Sequence, residues 1–190
     1  MKKGIVKAIL ALMLVTVIAF SIVSCGAPDD ETAISLVKDL VEGSYELNEI
    51  YFGSGLKYRD SGNPNDVYMP VLETEKYILK TRLLEKTREV FSESLSYSII
   101  DMAFNGVASE INQKSVQSRY MVMSDDDLLY VNKNYEPVVD KVARFDYTSV
   151  VLTKVSGRFI VANIKTVDGE KISVTLVNER NGWRLDSYTC

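Results

Sequence analysis

The hydrophobic period of this chain changes from about four residues to two near residue 118, and this change limits the fold more than any other feature of the sequence. Before the change, apolar residues recur at helical spacing; after it, apolar and polar residues alternate. The alternating runs are separated by Ser156-Gly157, Asp168-Gly169 and Asn181-Gly182, which are typical of hairpin turns. Helices followed by an antiparallel meander predict an α+β fold, in which the N-terminal helices pack on one face of a curved antiparallel sheet.

The helical half of the chain divides into two stretches. The first predicted helix covers roughly 31–51, and the second covers 72–91, followed by a shorter helical piece over 97–104. Between the two stretches, the extended segment 67–71 contains Pro70. Proline has no backbone N–H to donate to a sheet, so this segment cannot be a central strand.

The alternating half predicts one antiparallel meander of five or six strands, with alternating runs over 119–123, 128–132, 145–155, 158–166, 171–178 and 183–188. The acidic run Asp125-Asp126-Asp127 falls between the first two strands. A calcium loop of the EF-hand type needs a central glycine and alternating oxygen ligands, and leucines stand in their place here. The run is therefore predicted to be a charged hairpin tip.

The N-terminus carries a targeting signal. Lys2 and Lys3 precede an uncharged apolar run over 8–23, which is typical of a secretory signal peptide. The motif Ile22-Val23-Ser24-Cys25 then resembles the lipobox of bacterial lipoproteins. That resemblance implies cleavage before Cys25 and attachment of diacylglycerol to its thiol; a transmembrane anchor is the alternative.

These signals divide the chain into a signal peptide over 1–24, a lipidated cysteine with a short tether over 25–32, and a single α+β domain over 33–190. The protein is expected on the extracytoplasmic face of a cell membrane, held there by its lipid anchor. Two acyl chains satisfy the requirement for stable attachment.

Composition excludes several functions. The chain contains no histidine, which excludes the Ser-His-Asp triad and every histidine-ligated metal site. With Cys25 lipidated, Cys190 is the one remaining cysteine and cannot form an internal disulfide. The leader holds three of the 22 basic residues, so 26–190 carry 19 basic and 26 acidic residues, a net charge of −7. This balance argues against nucleic acid as a partner, and no cofactor or metal is expected.

The end of the chain carries a second resemblance. Asn181-Gly182-Trp183-Arg184-Leu185-Asp186-Ser187, together with the order of helices before strands, resembles nuclear-transport-factor-2-like (cystatin-like) domains of Gram-positive lipoproteins. A narrower similarity is to secreted inhibitors of cell-wall DL-endopeptidases, which share this plan. The resemblance implies a curved sheet wrapped over helices and a role at the cell envelope.

These observations favour a non-enzymatic binding module for a protein partner, with a basic cell-wall hydrolase as one concrete form. Four residues on predicted strands are candidate contacts: Arg119, Tyr130, Tyr147 and Trp183. One alternative is a cavity that holds a small apolar molecule or lipid between helices and sheet. Another is an enzyme that uses an Asp–Tyr pair, although Asp146 should face solvent because its neighbours on the strand face inward. The oligomeric state is left open.

Overall fold

The structure, a computed structural model, describes residues 26–108, 115–123 and 125–190. The leader and Cys25 lie outside the described residues. The described part contains three helices: α1 (Asp30–Tyr51), α2 (Lys80–Val90) and α3 (Glu93–Asn105). None of these helices is both long enough and apolar enough to span a bilayer.

Nine strands occur in the same ranges, and each pairing between two of these strands is antiparallel. They are β1 (Tyr68–Pro70), β2 (Val107–Ala108), β3 (Ser115–Val116), β4 (Tyr120–Val122), β5 (Leu129–Asn132), β6 (Phe145–Val155), β7 (Phe159–Thr166), β8 (Lys171–Glu179) and β9 (Gly182–Leu185). One sheet has the order β1-β5-β4 and another β6-β7-β8-β9, and β2 pairs with β3. The α+β class is thus confirmed, and β1, which contains Pro70, is an edge strand as predicted.

The first helix forms where its periodicity predicts. Asp29 caps α1 by accepting a hydrogen bond from the Thr32 N–H at 2.8 Å. Ala33, Val37 and Val41 recur on one face of the helix and are fully buried. This face packs against the four-stranded sheet, where α1 contacts β6 and β9.

The four-stranded sheet shows the alternation that the sequence predicts. Ile160, Ala162 and Ile164 on β7 point into the core, as do Val174 and Leu176 on β8. Each large aliphatic side chain buried in this way stabilises the fold by about 1.5–3 kcal/mol. The space between the helices and this face of the sheet is filled by side chains with almost no exposed surface.

The single meander predicted over 118–190 is wrong. Strands β4 and β5 pair with β1 to make a separate sheet, and no pairing joins β5 to β6 among the described strands. The link between them, residues 133–144, runs past the end of α1, where the N–H groups of Val138 and Val139 donate to the Phe52 carbonyl. The connection is therefore a crossing between two sheets rather than a hairpin.

The second helix begins at Lys80, eight residues later than the periodicity predicts. The preceding residues pair with the β5 hairpin instead: the Leu129 N–H donates to the Ile78 carbonyl at 2.9 Å, and the Lys80 N–H donates to the Asp127 carbonyl at 2.9 Å. If the residues before Lys80 continued the helix, the hairpin that contains β5 would lose these two hydrogen bonds. In contrast, α3 begins earlier than predicted, at Glu93, because Ser92 acts as its N-cap and accepts from the Leu95 N–H.

Candidate functional site

The Trp-Arg-Leu-Asp segment near the C-terminus fastens β9 to the junction between α2 and α3. The guanidinium of Arg184 donates from Nε to the Arg88 carbonyl at the end of α2, at 2.8 Å. The Leu185 carbonyl accepts from the Ser92 N–H at 2.8 Å. The Asp186 carboxylate accepts hydrogen bonds from the hydroxyls of Ser92 and Ser94. The motif that carries the family resemblance therefore builds one wall of a surface groove.

We call this feature the α3–β9 groove. It consists of two adjoining cavities of about 630 and 760 Å³ between the first turns of α3 and the β8–β9 hairpin. Glu93, Tyr97 and Glu179 line both cavities. The remaining lining residues are Arg88, Phe91, Ser92, Ser94, Ser96, Ser98, Ile100, Val177, Asn181, Arg184 and Asp186.

Tyr97 is the most exposed large apolar side chain of the described structure, with 72% of its surface accessible. The buried seam of α3 consists of Leu95, Ile99 and Ala103, at helical spacing. Tyr97 lies between the first two in sequence and therefore on the opposite face of the helix. A tyrosine in this position can bury a large area when it is covered.

An apolar strip on the outer face of the sheet continues from the groove. Val177 lines the groove and is paired with Phe159 on the neighbouring strand. Val161 follows on the same face, and then Val151, which is 61% exposed. Lys154 lies over the Phe159 ring at 4.5 Å and covers part of it. Together the groove and the strip form a mixed apolar and polar surface, as protein interfaces do.

Carboxylates from three elements meet at the N-terminus of α3. The Glu179 Oε1 atom accepts from the Glu93 N–H at 2.8 Å, and Asp186 is held by the two serines. The carboxylate of Glu93 has no hydrogen bond or ion pair within the described residues. The positive end of the helix dipole explains why carboxylates gather here.

The four candidate contacts predicted from sequence are not brought together. Arg119 is 3% exposed and lies in the core, where its guanidinium donates to the carbonyls of Tyr51 at 3.1 Å and Gly53 at 2.7 Å. Tyr130 lies on β5 in the smaller sheet. It does not line the α3–β9 groove.

The other two candidates belong to the four-stranded sheet. Tyr147 is half-buried near the start of β6, and burial raises the pKa of its hydroxyl. Trp183 packs partly against the core from β9, next to the groove residue Arg184. Cys25, the predicted lipidation site, lies outside the described residues.

The Asp146 carboxylate, the candidate base of the enzyme alternative, is hydrogen-bonded by a neighbouring residue of its own strand. Asp146 faces solvent, as the strand pattern predicts, and its Oδ1 atom accepts from the Thr148 hydroxyl at 2.6 Å and N–H at 3.0 Å. These hydrogen bonds hold the pKa of the Asp146 carboxyl below its ordinary value of 3.8. A general base works best when its pKa lies near the working pH, and this lowering moves the pKa of Asp146 away from neutrality. In residues 26–108, 115–123 and 125–190, no group of three or more Asp, Glu or Cys side chains is placed to hold a metal ion.

Tyr97, Glu93 and Glu179 were not predicted as site residues. A signal for Tyr97 exists in the sequence, because it lies off the seam formed by Leu95 and Ile99. No such signal exists for the carboxylates, because their meeting depends on β9 docking beside the α2–α3 junction. Comparisons of the chain with protein families, curated proteins and solved structures give no significant match.

Proposed function

We propose that this protein is a lipid-anchored extracytoplasmic lipoprotein whose domain, of the nuclear-transport-factor-2-like (cystatin-like) type, acts by binding a protein partner at the cell envelope rather than by catalysis. The observation that carries the proposal is the exposed Tyr97 in the α3–β9 groove. Tyrosine is enriched among residues that dominate binding energy at protein interfaces. A basic envelope protein such as a cell-wall hydrolase is the proposed partner.

The packing supports a protein partner over a small apolar ligand. A ligand-holding cone would leave space between the helices and the sheet, and that layer is filled here by Leu83, Ile99, Ile160 and Leu176, none of which is exposed. The α3–β9 groove instead lies at the surface and continues into the outer face of the sheet. An open, extended surface suits another macromolecule better than a small molecule that must be enclosed.

The position of the first helix supports an anchored domain. Residues 26–29 are all that separates Cys25 from α1, which begins at Asp30. Four residues reach at most about 14 Å when fully extended. A domain on so short a tether would work close to the membrane face, where envelope proteins are its neighbours.

The anchor is tested by metabolic labelling with an alkyne analogue of palmitate. The wild-type protein should take up the label, and Cys25→Ser should not, because the thiol is the acceptor. Cys190→Ser provides the matched control, since it removes the other cysteine and should leave labelling unchanged. Equal labelling of wild type and Cys25→Ser would refute the anchor.

The binding function is tested by photo-crosslinking in intact cells. A benzophenone amino acid at position 97 should yield a discrete adduct with one protein, because Tyr97 lies at the centre of the proposed surface. The control position is Asn65, which is also exposed but lies in a loop before β1. The absence of a position-97 adduct, or the same adducts from both positions, would refute the proposal.

A further inference from the structure

Two hairpin turns of the four-stranded sheet lie side by side at one end of that sheet. The β6–β7 turn covers residues 156–158, and the β8–β9 turn covers 180–181. The Asn178 N–H donates to the Arg158 carbonyl at 2.8 Å, and Asn178 Nδ2 donates to the Gly157 carbonyl at 3.0 Å. These hydrogen bonds join the two turns, which we call the hairpin tips.

The start of α1 points toward the hairpin tips, because α1 and β6 run in opposite directions. Just after α1, the Phe52 carbonyl accepts from the Val138 N–H, before β6 begins. Earlier in α1, the Tyr45 ring lies under the Arg144 guanidinium at 5.4 Å, next to the start of β6. Moving back along α1 therefore corresponds to moving forward along β6. From Tyr45 back to Asp30 the helix extends about another 22 Å, in the direction of the tips.

A lipid on Cys25 would hold this end of the domain at the membrane. Residues 26–29 separate Cys25 from α1 and reach at most about 14 Å. The hairpin tips are therefore the part of the sheet nearest the lipid, whereas the β7–β8 turn, residues 167–170, lies at the opposite end. Asn181 also lines the α3–β9 groove, so a partner in that groove would lie close to the membrane surface.

The hairpin tips carry exposed positive charge in a domain that is acidic as a whole. Arg158 and Arg180 are exposed, one on each tip, and Lys154 is exposed near the end of β6. Neither arginine side chain has a hydrogen bond or ion pair within residues 26–108, 115–123 and 125–190. Both guanidinium groups therefore keep their donors for an external acceptor.

Carboxylates at the same end offset this charge only in part. Asp29 and Glu179 each accept a hydrogen bond from an N–H group in the first turn of a helix. Asp30 and Glu31 lie in the first turn of α1, where the positive end of the helix dipole compensates part of their charge. The tips themselves contain no acidic residue, so the surface nearest the membrane is basic.

We propose that the hairpin tips bind the anionic phospholipid headgroups of the membrane that holds the anchor, through the guanidinium groups of Arg158 and Arg180. This inference rests on the proposed function and adds the orientation of the domain. A guanidinium can donate two parallel hydrogen bonds to one phosphate group. The domain as a whole, with 26 acidic and 19 basic residues in 26–190, is otherwise repelled by an anionic surface. It therefore stands on its tips rather than lying flat.

The test attaches the mature chain, residues 25–190 with Cys190→Ser, to vesicles through a maleimide phospholipid on Cys25. The vesicles contain equal parts of phosphatidylglycerol and phosphatidylcholine, or phosphatidylcholine alone, with dansyl-labelled headgroups as energy acceptors. Trp183, the single tryptophan of the chain, lies at the start of β9 beside the second tip and is the donor. Energy transfer should be higher on the anionic vesicles, because the tips are held at the headgroups there.

Paired substitutions then assign the charge. Arg158→Gln with Arg180→Gln should lower the ratio of docked to undocked domains about fivefold for each arginine, and energy transfer should fall toward its value on phosphatidylcholine. Arg144→Gln with Lys171→Gln is the matched control. It removes the same two charges from the opposite end of the sheet, where β6 and β8 begin, and should leave energy transfer unchanged.

The outcomes separate this inference from the proposed function, because the anchor in this test is made chemically. Equal energy transfer for wild type and the tip variant, or an equal loss in the tip variant and the control variant, would overturn membrane binding by the tips. If palmitate labelling of Cys25 succeeds in cells in that case, only this inference fails. If the labelling fails and the loss is confined to the tip variant, the tips bind headgroups and the proposed anchor alone fails.

Discussion

The sharpest stability prediction concerns Arg119, a buried arginine whose side chain donates hydrogen bonds to carbonyls at the C-terminal end of α1. The last turn of α1 contains no basic residue. Arg119 reaches it from the start of β4 and donates to the carbonyls of Tyr51 and Gly53, while its guanidinium stacks on the Tyr135 ring at 4.8 Å. The positive charge also faces the negative end of the helix dipole. Arg119→Met keeps the aliphatic volume and removes both donors.

The size of the effect follows from the hydrogen bonds that are lost. Each buried carbonyl left without a donor costs about 1–3 kcal/mol. Part of this cost is offset, because the Arg119 Nε atom is itself buried without a partner among the described residues. We therefore expect Arg119→Met to lower the free energy of unfolding by about 2–4 kcal/mol.

Equilibrium unfolding in urea measures this change. With a slope of about 2 kcal/mol per molar urea, the midpoint should fall by about 1–2 M at unchanged slope. Arg119→Lys is the control that keeps the charge but cannot span both carbonyls. Its urea midpoint should fall between the midpoints of wild type and Arg119→Met. A midpoint for Arg119→Met within 0.2 M of wild type, taken as roughly the precision of such a measurement, would refute the role of Arg119 in closing the helix.

Two further predictions concern residues that hold the chain together at other points. Thr189 is buried, and its hydroxyl accepts a hydrogen bond from Asn48 Nδ2 and pairs with the Ser44 hydroxyl, both at 2.8 Å. Thr189→Val removes both hydrogen bonds and should lower the free energy of unfolding, measured in urea, by about 1–3 kcal/mol. Asp127 has a positive φ and accepts from the Thr81 N–H and hydroxyl at the start of α2, which lowers the pKa of its carboxyl below 3.8. The charged form is favoured by folding, so its contribution is present above pH 3.8 and is lost as the pH falls through the lowered pKa. Thermal melts of Asp127→Asn should show a lower melting temperature than wild type at pH 7 and no difference near pH 2; a constant difference would contradict this cap.

Local patterns in the sequence predicted the parts of the fold that depend on local interactions. The helix over 30–51 formed because an apolar stripe and an acidic N-cap at Asp29 act together within one segment. The hairpins at Gly157, Gly169 and Gly182 also follow the sequence, and the last two have the positive φ that glycine tolerates.

Where the sequence-based prediction of the fold was wrong, the structure depends on interactions between segments that are far apart in the chain. The start of α2 has no side-chain cap of its own at Leu79; Asp127, which is 46 residues from Thr81, supplies it. No local pattern contains that information. The division of the predicted meander into two sheets has the same origin, because β5 pairs with β1, and the paired residues are at least 60 positions apart in the chain. Arg119, a candidate ligand or partner contact in the sequence analysis, is a core residue whose hydrogen bonds reach a segment more than 60 residues away.

The central claim is that the α3–β9 groove around Tyr97 binds a protein partner. The most direct test measures the affinity of the crosslinked partner, once purified, for wild type, Tyr97→Ser and Val138→Ser by surface plasmon resonance. Val138 is 58% exposed and lies outside the groove, so it controls for the loss of any exposed apolar side chain. We predict that Tyr97→Ser weakens binding at least tenfold, as expected when an interface loses about 1.4 kcal/mol or more, and that Val138→Ser binds as wild type does. Equal affinity of wild type and Tyr97→Ser would contradict the claim.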